Sequence, residues 1–242
     1  MINLLEKMLQ GKITYGEQKS VIVEAGHIYT NQLPNSEQDI SIDQGVKVLQ
    51  LGKLLGFCMK PWLFIDNYNP QFQNNLSLLD EQAYISSITA KGFIPQKVIY
   101  ESDLIPQAKE IVDYLLKKEE ALPESKTGKV ILKKEKILLY NPAEDKYYCS
   151  LLDACLYQQK LNESEICITI LDQSYASQQK GTKTIVSKLG IDSSKIIPFY
   201  YHTPCTLSHE SSSVQNVFLK ENFNPSLKVK HLLELVKMLG EL

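Results

Sequence analysis

The chain has 242 residues and contains no arginine. All 26 of its Lys and Arg residues are therefore lysines, which oppose 28 acidic residues and give a net charge of −2. Lysine cannot copy the rigid, bidentate fork that arginine offers to phosphates, carboxylates and guanine. An arginine finger within the chain is excluded. The nearly neutral balance also argues against nucleic acid as a partner, because nucleic-acid-binding domains usually carry a basic face.

Paired cysteines and membrane-spanning runs are also lacking. The five cysteines are odd in number and form no Cys-x-x-Cys, a pattern that indicates free thiols in a reducing compartment. The first ten residues are too charged for a signal peptide, and no apolar run approaches the roughly 20 residues needed to cross a bilayer. We therefore expect a cytoplasmic protein with no membrane partner.

The common phosphate-binding loops, Gly-x-Gly-x-x-Gly and Gly-x4-Gly-Lys-Ser/Thr, do not occur. Their absence disfavours standard nicotinamide-dependent hydride transfer and P-loop hydrolysis. The remaining candidate for phosphate or cofactor binding is Lys180-Gly181-Thr182-Lys183, placed at the predicted start of a helix over residues 182–189. Backbone N–H groups at a helix start, together with two ammonium groups, suit a phosphate. A solvated turn is the alternative, and the cofactor itself stays unknown, with a divalent metal among the options.

Apolar runs alternate with helical segments along the chain, and this is the clearest pattern present. Strands are predicted at residues 21–29, 62–65, 97–100, 130–140 (one strand or a hairpin), 166–171 and 196–201. Helices are predicted at residues 41–57, 76–90, 106–121, 141–161, 182–189 and 224–239. This alternation predicts a Rossmann-like, three-layer α/β/α fold with a mostly parallel sheet of about six strands. We expect a single α/β domain over residues 1–242, with a candidate subdomain boundary at residues 122–129.

Ionisable side chains follow the predicted strands, and ligands of open α/β sheets bind at the carboxyl ends of strands. Asp66 and Asp172 each come directly after an apolar run. His27 and His202 are natural general acids or bases, because the pKa of histidine lies near neutrality. These four residues are the predicted catalytic group.

Four further polar residues at the same strand ends are predicted to bind substrate: Glu24, Asn69, Asp103 and Ser174. The alternative interpretation is that such residues only cap the helices that follow.

A soft-metal site is a second option for the end of the last strand. His202, Cys205 and His209 lie within eight residues, and zinc takes His and Cys ligands at short spacings. Cys205 activated by a histidine is another interpretation. Cys58, Cys149, Cys155 and Cys167 are predicted to be small core residues.

The segment Trp-Leu-Phe-Ile-Asp-Asn-Tyr-Asn at residues 62–69 resembles the opening strand of NYN-type, PIN-like nucleases. Residues 168–172, Ile-Thr-Ile-Leu-Asp, resemble a later strand of that family that also ends in an acid. The family holds divalent metal with clustered carboxylates. The resemblance therefore implies Asp66, Asp103 and Asp172 as metal ligands, since hard cations prefer oxygen.

Three functions follow from these patterns. The favoured one is an enzyme, a hydrolase or transferase, that binds a small polar metabolite or nucleotide at the carboxyl ends of the strands. The alternatives are the metal-dependent nuclease and a non-catalytic Rossmann-like binding or interaction module. Substrate, reaction and oligomeric state are left open by the sequence.

Overall fold

The computed structural model describes residues 20–29, 36–54, 57–68 and 78–201, all within the unit Met1–Tyr201. The strands of the main sheet are β1 (Ser20–Tyr29), β2 (Cys58–Asp66), β3 (Lys97–Tyr100), β8 (Ile166–Asp172) and β9 (Ile196–Tyr201). A smaller sheet consists of β4 (Ala121–Pro123), β5 (Val130–Leu132), β6 (Leu138–Asn141) and β7 (Lys146–Tyr147). The helices are α1 (Ser36–Leu54), α2 (Leu78–Ala90), α3 (Ile105–Lys117), α4 (Cys149–Glu163) and α5 (Ala176–Lys188).

The main sheet has five strands in the order β3-β2-β1-β8-β9, and all of its pairings are parallel. The central strands β2 and β8 are mostly apolar and buried, as expected for a parallel sheet covered by helices. The predicted α/β class and the Rossmann-like parallel sheet are confirmed. Residues 130–140, predicted as one strand or a hairpin, form the β5–β6 hairpin, which belongs to the smaller, antiparallel sheet and not to the main sheet.

Helices cover both faces of the main sheet, as two adjacent residues of β1 show. Successive side chains of a strand point to opposite faces. Ala25 faces Gly45 of α1, where a Cβ added to the glycine would lie 2.6 Å from the Ala25 Cβ. Glu24 instead forms an ion pair with Lys160 of α4. The three-layer arrangement follows from these two contacts.

The smaller sheet lies between α3 and α4 in the chain. Residues 122–129, the candidate subdomain boundary, contain part of β4, and β4 pairs with β5. The helix predicted to start at Asn141 begins only at Cys149. Asn141 Oδ1 accepts a hydrogen bond from Ala143 N at 3.2 Å, so its side chain stabilises a turn with the same chemistry that caps a helix.

The start of α1 also differs from prediction. Ser41 lies inside α1, which begins at Ser36. Its hydroxyl donates to Ile170 O at 3.3 Å rather than capping the helix. The final predicted helix, at residues 224–239, lies outside the described residues. Among the helices that the structure describes, none combines the length and apolarity needed to cross a membrane.

Candidate functional site

The strand order places a change of direction at the centre of the main sheet. From β1 the chain continues to β2 and β3 on one side, and it later adds β8 and β9 on the other. In open α/β sheets, ligands bind in the crevice beyond the carboxyl ends of the strands at such a switch point. The carboxyl ends of β2, β1 and β8 are therefore the expected location of a site.

β1 is irregular close to this edge of the sheet. Glu24 pairs with Trp62 and His27 with Phe64, so three steps along β1 match only two along β2. Such a β-bulge re-aims the residues that follow it, and bulges are frequent next to functional sites. Predicted residue His27 lies just beyond this bulge.

Asp66 and Asp172 are the last residues of β2 and β8, as predicted. Because β1 lies between these strands, two strand spacings, or about 10 Å, separate the ends that carry them. Asp172 Oδ1 accepts a hydrogen bond from Ser174 N at 2.8 Å and caps the short 3-10 turn at residues 173–175. The two aspartates share one edge of the sheet on opposite sides of β1.

Asp66 pairs with Glu101, which directly follows β3. Glu101 is only 5% exposed. Burial, a hydrogen bond with Asp66 and the charge of Asp66 raise the pKa of Glu101 to about 9, against the effect of a hydrogen bond from the Tyr68 backbone N–H. Glu101 is therefore protonated at neutral pH. A buried carboxylic acid beside a second carboxyl group is the arrangement that separates acid and base roles in many enzymes.

Asp153, in the first turns of α4, adds a third carboxyl group to this region. It is 6% exposed, and its charge is among the factors that raise the pKa of Glu101. Gln178 Nε2 of α5 donates to Asp153 Oδ2 at 2.8 Å, and Gln179 and Thr182 lie 3.4 Å from the same oxygen. Asp66, Glu101 and Asp153 are called the acidic cluster below.

Cys149, the first residue of α4, lies beside the acidic cluster. Cys149 reaches the surface, but the protein atoms around its thiol desolvate it and raise its pKa to about 12, and the charges of Asp153, Glu101 and Asp66 contribute in that order. A thiol that stays protonated is a poor nucleophile. Cys149 and Cys58 are exposed residues, so the prediction that they belong to the core is wrong, whereas Cys155 and Cys167 are buried as predicted.

The loop after β2 joins the acidic cluster to the smaller sheet. Asn67 Oδ1 accepts a hydrogen bond from Ser102 N at 2.9 Å, which holds the ends of β2 and β3 together. The Tyr68 hydroxyl donates to Asp145 O at 2.9 Å and accepts from Tyr147 N at 3.2 Å. The smaller sheet therefore positions the residues that follow Asp66.

Glu24 lies inside the sheet–helix layer rather than at a strand end. It is 1% exposed and pairs with Lys160, which is fully buried. Burial lowers the pKa of the Lys160 ammonium, while the adjacent Glu24 carboxylate favours its charged form. Thr169 of β8 lies 3.4 Å from the same Glu24 oxygen. Glu24 thus contributes to a buried polar network, and a role in binding substrate stays a prediction.

The same network extends toward the acidic cluster. The Tyr157 hydroxyl is hydrogen bonded to Thr169 Oγ1 at 2.9 Å and to Gln179 Oε1 at 2.8 Å. Gln179 Nε2 in turn lies 3.4 Å from Asp153 Oδ2. Polar groups from β1, β8, α4 and α5 are therefore connected through the layer behind the sheet.

The other predicted site residues are placed as follows. Asp103 and Ser174 are exposed, in the 3-10 turns after β3 and β8. Asn69, His202, Cys205 and His209 lie outside the described residues. Glu101 was missed by the sequence interpretation, which took Asp103 from the same strand end. The signal was present, because Glu101 follows its apolar strand as directly as Asp66 and Asp172 follow theirs.

The segment Lys180-Gly181-Thr182-Lys183 is not a helix start, and that prediction is wrong. It lies in the interior of α5, whose first residue is Ala176. Backbone N–H groups there are bonded within the helix and cannot cradle an anion. Thr182 is buried and its hydroxyl donates to Gln178 O at 3.1 Å. Only the side chains of Lys180 and Lys183 are left as candidate anion ligands.

The resemblance to PIN-like nucleases implied a site for a hard metal ion, with Asp66, Asp103 and Asp172 as its ligands. Within the described part of the chain, no group of three or more Asp, Glu, His or Cys residues is arranged to hold a metal ion. The three aspartates belong to three different strand ends and are not gathered into such a group.

No protein-family model matches the chain, and no curated protein matches it in sequence. Solved structures do match in fold. The Campylobacter jejuni protein assigned as an arginyl-tRNA synthetase has a TM-score of 0.63 at 11% identity, over 83% of this chain and 60% of its own. Thermus thermophilus arginyl-tRNA synthetase has a TM-score of 0.64 at 12% identity, over 88% and 53%. The Plasmodium falciparum enzyme has a TM-score of 0.54 at 11% identity, over 98% and 55%.

The chain spans between 53% and 60% of the length of these synthetases. At such low identity the likeness concerns the fold alone. It gives no support to the expectation that nucleic acid is excluded as a partner, since these neighbours are named for their action on tRNA. The chain therefore has the α/β fold found in arginyl-tRNA synthetases, with a carboxyl-rich edge at the switch point of its parallel sheet.

Proposed function

We propose that the chain binds a small polar molecule with a cationic group at the carboxyl edge of the main sheet, and acts on it as a transferase or hydrolase. The observation that carries the proposal is the Asp66–Glu101 pair at neighbouring strand ends. Asp153 and Asp172 add carboxyl groups at or near the same edge. Such surroundings repel phosphates and attract ammonium or guanidinium groups.

The two members of the pair suit different tasks. The carboxylate of Asp66 can accept charge-assisted hydrogen bonds from a guanidinium or an ammonium group, which are among the strongest in proteins. Glu101 holds a proton at neutral pH, so it is the candidate general acid. His27 and His202 stay predicted catalytic residues.

Arginine is the first ligand to test. The structural neighbours are named for arginine and tRNA, and the guanidinium group fits a carboxylate in a bidentate manner. The chain spans little more than half of those enzymes, so the proposal covers binding of the small molecule and does not extend to its transfer to tRNA.

Calorimetric titration with L-arginine tests the proposal, with citrulline as the comparison ligand, because its side chain has nearly the same shape but carries no charge. We expect arginine to bind and Asp66→Asn to weaken binding by about tenfold or more, because hydrogen bonds to charged groups contribute about 1.5–3 kcal/mol. The matched control is Asp113→Asn, which removes an exposed carboxylate of α3 and should leave the affinity unchanged. Equal binding of arginine and citrulline, or an unaffected Asp66→Asn variant, would contradict the proposal.

A further inference from the structure

A cleft of about 380 Å³ lies between α5 and the segment that forms β9. On the helix side its lining residues recur every three or four positions from Ala176 to Ser187, which is the spacing of one helix face. Ser193, Pro198 and Tyr200 complete the lining. The cleft is lined by none of the residues of the acidic cluster.

The lining carries positive charge and no carboxylate. Lys180 and Lys183 both line it, and residues three apart on a helix are neighbours on its surface. Within the described part of the chain neither lysine forms an ion pair. Lys188, one turn further along, is instead held by Glu120 at 2.7 Å.

The surrounding sequence is locally basic although the whole chain is not. Residues 173–201 contain four lysines and one aspartate, whereas the net charge of the chain is −2. Lys183 is half-buried, and desolvation lowers its pKa. A bound anion would offset that desolvation, because an opposite charge favours the ionised form of a lysine.

The hydroxyl groups of the cleft are already engaged on the helix side. Thr184 donates to Lys180 O at 3.0 Å, and Ser187 donates to Lys183 O at 2.9 Å. Among the described residues, the Lys180 and Lys183 ammonium groups form no ion pair, so they are the main donors that the cleft offers to a ligand. Tyr200 adds an aromatic ring to the lining, and such rings stack on flat heterocycles.

We propose that this cleft binds a small phosphate monoester of the nucleoside monophosphate class. The phosphate lies between Lys180 and Lys183, and the base lies toward Tyr200. A phosphate group near neutral pH carries between one and two negative charges, which two lysines one turn apart can match. The cleft volume is in the range of small-molecule sites, roughly 300–1,000 Å³. This site shares no lining residue with the acidic cluster, although Gln179 of its lining lies 3.4 Å from Asp153, and it does not depend on the proposed function.

Titration with AMP, adenosine and inorganic phosphate tests the proposal on the full chain. We expect AMP to bind and inorganic phosphate to compete with it. Adenosine should bind at least about tenfold more weakly than AMP, because the phosphate supplies the charge-assisted contacts. The double variant K180Q/K183Q should lower AMP affinity by about tenfold or more for the same reason. The control variant K109Q/K117Q removes two exposed lysines of α3 and changes the net charge equally, so it should bind AMP as the unmodified chain does.

Three outcomes would overturn the proposal. Adenosine binding as tightly as AMP would show that the phosphate is not recognised. Unchanged AMP affinity in K180Q/K183Q, with its fold verified by circular dichroism, would show that these lysines are not the ligands. Binding of a single-stranded oligoribonucleotide of about ten residues without any binding of AMP would assign the cleft to RNA instead.

Discussion

Replacing Glu101 with glutamine should change how the stability of the chain depends on pH. Glutamine has the shape of the protonated acid and can donate to Asp66 as that acid does. The pKa of Glu101 is raised from 4.5 to about 9 in the folded chain, chiefly by burial and by Asp66. The folded state therefore holds one proton more than the unfolded state between these two values.

The sign and size of the effect follow from this difference. Stability from a raised pKa is fully present below pH 4.5 and is lost as the pH rises through about 9. Each pH unit in that window costs the folded chain about 1.4 kcal/mol. At pH 7 the cost of keeping Glu101 protonated is about 3 kcal/mol. The E101Q variant does not carry this cost.

Urea unfolding at several pH values between about 5 and 8 measures the effect, since the linear extrapolation gives the free energy of unfolding at each pH. The advantage of E101Q over the unmodified chain should grow by about 1.4 kcal/mol per pH unit. The matched control is Glu110→Gln, which changes an exposed residue of α3 and should give a pH profile parallel to that of the unmodified chain. A constant difference between E101Q and the unmodified chain across this range would refute the assignment of a protonated Glu101.

Two further substitutions test the packing of the sheet against its helices. Gly45→Ala should lower the free energy of unfolding by about 1–2 kcal/mol, because the new Cβ would lie 2.6 Å from the Ala25 Cβ. This strain exceeds the gain in helix propensity from alanine. A variant that is more stable in thermal unfolding would disprove the contact. Lys160→Met should cost about 3–5 kcal/mol, because it removes the counter-ion of buried Glu24. The double variant E24M/K160M should recover most of that loss, and no recovery in urea unfolding would mean that the ion pair is not what the single change disrupts.

Local apolar patterns were sufficient to predict the strands of the main sheet and their parallel arrangement, but not their order. Asp66 and Asp172 were predicted correctly at the carboxyl edge because each ends an apolar run that is long enough to be a buried strand. The predicted helix start at Asn141 was wrong because asparagine supports a turn and a helix cap with the same side-chain hydrogen bond. A short-range signal of this kind cannot distinguish the two structures.

Residues that meet only through tertiary contacts were beyond the sequence. Glu24 and Lys160 are 136 residues apart in the chain, and nothing local indicates that they pair. The one available hint was that Lys160 belongs to helix α4, in which Leu151–Tyr157 are all buried. Asp153 was missed for the same reason, because its relation to Glu101 depends on how α4 packs behind the sheet.

The pairing of β1 with β8 sets the order in which the molecule can assemble during its synthesis. Ser20 at the start of β1 bonds to Glu165, 145 residues later, and closing a loop of that length costs about 4 kcal/mol of chain entropy. The ribosome adds about 5–20 residues per second, so β8 emerges roughly 4–14 s after β3. Asp66 and Glu101 are therefore made well before the chain that supplies Asp172. Until β8 arrives, the edge of β1 with which it will pair presents unpaired backbone N–H and C=O groups to chaperones and to other nascent chains.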